Sequence, residues 1–185
     1  TEAETSNAAP FRERRAAGTK PLYTKSSKLR GLFQTEVPFN DYERQPLLPA
    51  RNSQLGPGHA WGDIDNDGDD DLYFGGSKGV AGQMFIRDKG DFVVSSTAPF
   101  DKAAECEDMA PLFFDADADG DLDLYVVSGG VECEPGDVSL QDRFYINDGN
   151  GNFARAPNAL PKARHSGSVA CAADFDRDGD LDLFI

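Results

Sequence analysis

Residues 115–126 read Asp115-Ala116-Asp117-Ala118-Asp119-Gly120-Asp121-Leu122-Asp123-Leu124-Tyr125-Val126, an acidic run that passes without a break into an apolar one. The pattern occurs twice more. It stands upstream as Asp63-Ile64-Asp65-Asn66-Asp67-Gly68-Asp69-Asp70-Asp71-Leu72-Tyr73-Phe74, and downstream as Asp174-Phe175-Asp176-Arg177-Asp178-Gly179-Asp180-Leu181-Asp182-Leu183-Phe184-Ile185. The intervals are 115 − 63 = 52 and 174 − 115 = 59 residues. Self-similarity at such a period marks one supersecondary unit per repeat.

Working outward, the residues after each acidic run are short and β-like. The first unit has Leu72–Phe74, Gln83–Arg87, a turn at Asp88-Lys89-Gly90, then Phe92–Val94. The second has Leu124–Val127, Arg143–Ile146, a turn over Asn147–Gly151, then Phe153. Asn-Asp-Gly supplies the positive backbone dihedral that a tight hairpin needs. No stretch sustains a 3.6-residue apolar period over helix length. The pattern predicts an all-β chain: β-propeller blades of four antiparallel strands, with DxDxDGxxD loops between the first two strands of each. Three motifs are too few for a closed propeller, which needs about four to eight blades. The expectation is therefore a partial propeller over residues 32–185, cut in its third unit and belonging to a longer polypeptide.

In each loop, 63–71, 115–123 and 174–182, carboxylates fall at positions 1, 3, 5 and 9, with glycine at position 6. Calcium takes six to eight hard oxygens in flexible geometry, and a tight loop with alternate acidic side chains supplies them. Four carboxylates so close repel one another by about 1 kcal/mol per pair even in water, so three copies of the pattern point to a cation. The expected ligands are Asp63, Asp65, Asp67, Asp69 and Asp71; Asp115, Asp117, Asp119, Asp121 and Asp123; and Asp174, Asp176, Asp178, Asp180 and Asp182. One calcium per loop gives three sites. By analogy with related calcium loops, the position-7 residues Asp69, Asp121 and Asp180 contribute their backbone carbonyls. An EF-hand is disfavoured because position 12, where that motif has a bidentate Glu, holds Phe74, Val126 and Ile185.

The net charge of −15 is unevenly spread. Up to Gly58 nine basic residues face six acidic ones (+3), whereas from His59 onward nine face twenty-seven (−18). Such a field repels phosphate backbones and anionic membranes, which argues against nucleic acid as a partner. No run of about eighteen apolar residues is present, so membrane insertion by a helix is not expected. Residues 1–31 are polar and mixed in charge, and read as a linker or surface arm, with Phe11, Leu22 and Tyr23 as anchors if the arm lies across neighbouring structure. From Leu32 to Phe39 apolar density rises, which suggests one short strand before an irregular segment broken by Pro38, Pro46 and Pro49.

The three cysteines permit one bridge and one leftover thiol. Strand direction brings Cys106 and Cys133 to the same end of the second unit, which makes them the candidate disulfide; the alternative is three free thiols. Cys171, among Val169, Ala170 and Ala172, is expected to be buried between blades.

Taken together, Gly62-Asp63 leading into Asp-Asn-Asp-Gly, the Asp121–Tyr125 run and the Tyr145–Phe153 hairpin resemble the FG-GAP and VCBS repeat proteins, calcium-loop propellers related to the integrin α-chain head. The stretch from Leu47-Leu48-Pro49 to Ser53–Pro57 is similar to the lead-in segment of bacterial VCBS proteins with an ASPIC/UnbV domain. The resemblance implies an extracellular, cell-surface or periplasmic location. It also implies a non-catalytic role in adhesion, in binding a protein or glycan, or in scaffolding. An accessory propeller domain of a secreted polysaccharide-degrading enzyme is the alternative. His59, at a strand start, and His165, in a turn, read as ordinary surface residues, and no Ser-His-Asp arrangement is discernible. Strand direction gathers the acidic loops and hairpin turns at one end, and the variable connections 75–82, 95–108, 128–141 and 158–167 at the other. A binding face is expected on those connections, at residues 132–137 and 162–165.

Overall fold

The computed structural model describes residues 26–53, 55–95 and 98–185. Up to residue 25, the expected arm and its anchors Phe11, Leu22 and Tyr23 lie outside the described residues. Strands β1 (His59–Gly62), β2 (Asp71–Phe74), β3 (Gln83–Asp88) and β4 (Asp91–Val94) form one antiparallel sheet in that order. Strands β5 (Glu107–Phe114), β6 (Asp123–Gly129), β7 (Arg143–Asn147) and β8 (Phe153–Arg155) form a second, and β9 (Cys171–Ala173) pairs with β10 (Asp182–Phe184) as a hairpin. Each acidic run joins the first two strands of its unit, as the repeat predicts. These are two sheets and a hairpin; the described strands do not close into a ring.

The turns follow from their glycines. Asp88 pairs with Asp91, leaving Lys89 (φ 51°) and Gly90 (φ 84°) between them. Positive φ at both central residues is the type I′ geometry whose twist suits a two-residue hairpin.

The central strand explains the stacking. All seven residues of β6 are buried, because its alternate side chains enter two different cores. Leu124 and Val126 pack with Tyr73 and Met84 of the first sheet. Tyr125 and Val127 pack with Ala170 and Leu183 of the third unit. A strand covered on both faces reads as a continuous apolar run, which is why Leu124–Val127 shows no polar alternation. Each such side chain contributes roughly 1.5–3 kcal/mol on burial. Phe100, from the connection between the sheets, plugs the first core, with ring centroids 5.1 Å from Tyr73 and 5.0 Å from Tyr145.

Three expectations are corrected. The strand expected between Leu32 and Phe39 does not form; the segment is unpaired and leads into the short helix α1 (Asp41–Arg44). Pro38 offers no N–H to a ladder, Phe33 and Val37 stay exposed, and the carbonyl of Thr35 accepts a 2.5 Å bond from Ser77 Oγ where a strand partner would be. The Cys106–Cys133 bridge is also absent: all three cysteines are free, and Cys171 is exposed rather than buried. The two thiols belong to differently anchored turns. Cys106 N–H donates to Ala103 O at 2.9 Å, whereas the Cys133 carbonyl is held by Arg44 Nη1 at 2.6 Å.

Candidate metal centres

Each loop is wound around its own carboxylates. Asp63 accepts from the N–H groups of Asp67 (3.1 Å) and Gly68 (2.9 Å), and Asp67 accepts from Asp69 N–H at 2.9 Å. In the second loop Asp115 accepts from Gly120 N–H at 3.0 Å and Asp119 from Asp121 N–H at 2.9 Å. In the third, Asp178 N–H donates to Asp176 at 3.2 Å and Asp180 N–H to Asp178 at 3.0 Å. The winding needs two left-handed residues per loop. Glycine takes position 6 in each (Gly68 φ 91°, Gly120 φ 95°, Gly179 φ 100°), but position 4 is also left-handed in Asn66, Ala118 and Arg177, at φ 60°, 61° and 64°. Asparagine tolerates that region, whereas for Ala118 and Arg177 it costs on the order of 1 kcal/mol each.

The winding brings together one carboxylate atom from each of Asp63, Asp65 and Asp71, from each of Asp115, Asp117 and Asp119, and from each of Asp174, Asp176 and Asp182. Within each trio these atoms lie within 4.8 Å of one another. The position-7 side chains are in none of the trios. Asp69 pairs with Arg87 at 3.1 Å, and Asp121 accepts from Asn66 Nδ2 at 2.9 Å.

Position 9 anchors the loop to the sheet. Buried Asp71 accepts from Ile64 N–H at 3.1 Å and from Arg87 N–H on β3 at 2.7 Å. Asp123 repeats this with Ala116 N–H at 3.2 Å and Asn147 N–H at 2.9 Å, and Asp182 accepts from Phe175 N–H at 3.0 Å. Burial pushes the Asp71 and Asp123 carboxyls above their ordinary value, while the same N–H groups pull them back. Asp65 is raised by burial and by the neighbouring Asp67 and Asp63 charges. Three clustered carboxylates therefore carry a cost in their ionised form that a bound cation offsets. The donor set fits a hard divalent ion: every candidate ligand is an oxygen, and Asp115 Oδ1 is buried with no hydrogen-bond partner.

The opposite end holds residues that sequence reasoning missed. Asp108, at the start of β5, accepts from Arg143 Nη2 (2.5 Å), Tyr73 Oη (2.8 Å) and Gly76 N–H (2.8 Å), and the Asp108 and Arg143 side chains are both 1% exposed. Both members of the pair belong to the second sheet, and Asp108 reaches the first unit through Tyr73 and Gly76. Burial works against the Arg143 charge, but Asp108 outweighs it and holds the guanidinium protonated well above its ordinary range. A charged residue opening the apolar run Phe144–Ile146 was the available signal. Beyond the pair lies a cleft of about 740 Å³ lined by Phe39, Leu48, Val131, Leu140, Arg164 and His165 among others. Arg44 Nη1 fixes its wall by donating to the carbonyls of Val131 and Cys133, both at 2.6 Å. His165 is exposed on this wall, and His59 is exposed at the start of β1.

Antiparallel sheet units, each with an acidic oxygen-rich loop between its first two strands, define a β-repeat protein with metal-type loops. Residues 63–126 and 115–185 both match the FG-GAP-like repeat model, and the chain belongs to that family. Searches among curated proteins and among solved structures gave no significant match. Among the described residues no helix is long and apolar enough to cross a membrane.

Proposed function

We propose that the chain is a calcium-stiffened repeat module of a secreted or cell-surface protein, working by binding or scaffolding rather than catalysis. Its two sheets and third hairpin are successive blades of a propeller. The observation that carries this is the convergence of three carboxylate atoms in each of three loops, at positions 1, 3 and 9 of the first and third and at positions 1, 3 and 5 of the second. Calcium would be held by the carboxylates at positions 1, 3, 5 and 9 and by the position-7 carbonyls, and it would neutralise clusters that repel themselves. A ligand that binds only the folded state stabilises it by mass action. Calorimetric titration is expected to show three sites, and chelation to lower the melting temperature. Asp65→Ala and Asp117→Ala are each expected to lose one site. Unchanged melting in chelator, with full calcium binding by both variants, overturns the reading.

A second element is a partner site at the other end, which the 740 Å³ cleft favours. Its volume is in the range of ligand pockets, and its lining includes residues 133–136 and 164–166, from the connections that differ most between units. A glycan and peptide binding screen run beside a polysaccharide turnover assay separates a binding module from an accessory domain of a degrading enzyme.

A further inference from the structure

The first two acidic loops touch each other, and they do so through side chains that the metal trios do not use. Asn147 sits at the end of β7, 3% exposed, with its N–H and both side-chain polar atoms hydrogen-bonded. Its N–H donates to Asp123 Oδ1, at position 9 of the second loop, at 2.9 Å. Its Nδ2 donates to Leu122 O of the same loop at 3.2 Å and to Ile64 O, at position 2 of the first loop, at 2.8 Å. Gly151 N–H also donates to Ile64 O, at 3.1 Å. A second bridge runs independently: Asn66, at position 4 of the first loop, donates through Nδ2 to Asp121 Oδ1, at position 7 of the second, at 2.9 Å. Between the second and third loops the described residues form no such bond. Position 4 of the second loop is Ala118, whose methyl group can donate nothing.

We infer that the first and second loops bind divalent cations cooperatively, with Asn147 and Asn66 as the positioning residues. This rests on the metal reading above. Ordering one loop has a conformational entropy cost. Because Asn147 is bonded at once to Asp123 and to the Ile64 carbonyl, whichever loop is ordered first holds part of the other in place, and the second ion meets a loop already partly fixed. The Asn66–Asp121 bond acts in the same direction, since the Asp121 carbonyl is an expected ligand. Coupling of this kind is reciprocal, so disabling either loop must weaken the other by the same factor.

The test is a calcium titration of the full chain followed by ¹⁵N–¹H NMR at the amides of Gly68, Gly120 and Gly179, which report the three loops separately. In the parent, Asp65→Ala is expected to weaken binding at Gly120 about fivefold or more and Asp117→Ala to weaken Gly68 equally. In the Asn66→Ala, Asn147→Ala background the same loop knockouts are expected to shift the surviving midpoint by less than about twofold. Asn66 is exposed, so Asn66→Ala alone keeps the experiment decisive if the double variant does not fold; it is expected to lower the coupling. Independent midpoints in the parent, or coupling that survives Asn66→Ala undiminished, overturn the inference while leaving the metal sites standing. Calcium-insensitive glycine signals throughout overturn the metal reading itself.

Discussion

The two junctions of the molecule use the same repeat, but the first packs two four-stranded sheets and the second packs a sheet against a two-stranded hairpin. Between the first and second sheets lie eight buried apolar side chains, the Phe100 plug among them, with the Asn147 clasp and the bonds from Tyr73 and Gly76 to Asp108, itself paired with Arg143. Between the second sheet and the third hairpin only Tyr125, Val127 and Phe144 are fully enclosed, and the hairpin's Phe175 remains 76% exposed. The acidic loops are nearly identical, so the motif does not set the strength of a junction. The junctions differ in the strands each unit packs, and the first has in addition Phe100, which a connection inserts into its core.

The sharpest way to break this comparison is at the ion pair. Arg143→Met leaves the Asp108 carboxylate buried among Tyr73 and Gly76 with its cation gone, and is expected to destabilise the protein by about 3–5 kcal/mol in urea denaturation. A loss below about 1 kcal/mol would show that the pair contributes little to the first junction. Next come two leucines at matching loop positions. Leu124→Ala, in the first core, is expected to cost about 3–4 kcal/mol, against about 1 kcal/mol for half-buried Leu183→Ala in the second. Equal losses would erase the asymmetry.

The smallest effect is a pH dependence. Burial, then the charges of Glu132 and Glu36, push the Glu107 carboxyl from an ordinary 4.5 up to about 7, against the pull of Lys78. Between those values the native state binds the extra proton, so stability falls as pH rises through the window. Glu107→Gln is expected to exceed the parent by about 1–3 kcal/mol at pH 8 and to show no gain at pH 4.5. The same difference at both pH values would remove Glu107 from the account.

Much of this molecule was legible as sequence. The three Asp loops, the strands around them and the Lys89-Gly90 turn follow from period and glycine placement, which are local properties. What the sequence did not reveal depends on neighbours distant in the chain. Asp108 and Arg143 are 35 positions apart and read as a loop residue and a strand end. Asn147 read as part of a turn, whereas its amide reaches a carbonyl 83 residues away. The cysteine pairing failed for the same reason: sharing an end of a sheet does not bring two Cβ atoms to bonding distance. The missing strand near Leu32 shows that apolar density without a free sheet edge beside it does not make a strand.

Strand β6 works as a party wall between two rooms. Its even-numbered residues Leu124 and Val126 furnish one core and its odd-numbered Tyr125 and Val127 the other, so stripping either neighbour leaves half of the strand facing water. In a linear array whose stability is a sum of unit and interface terms, that makes the interfaces the seat of the fold.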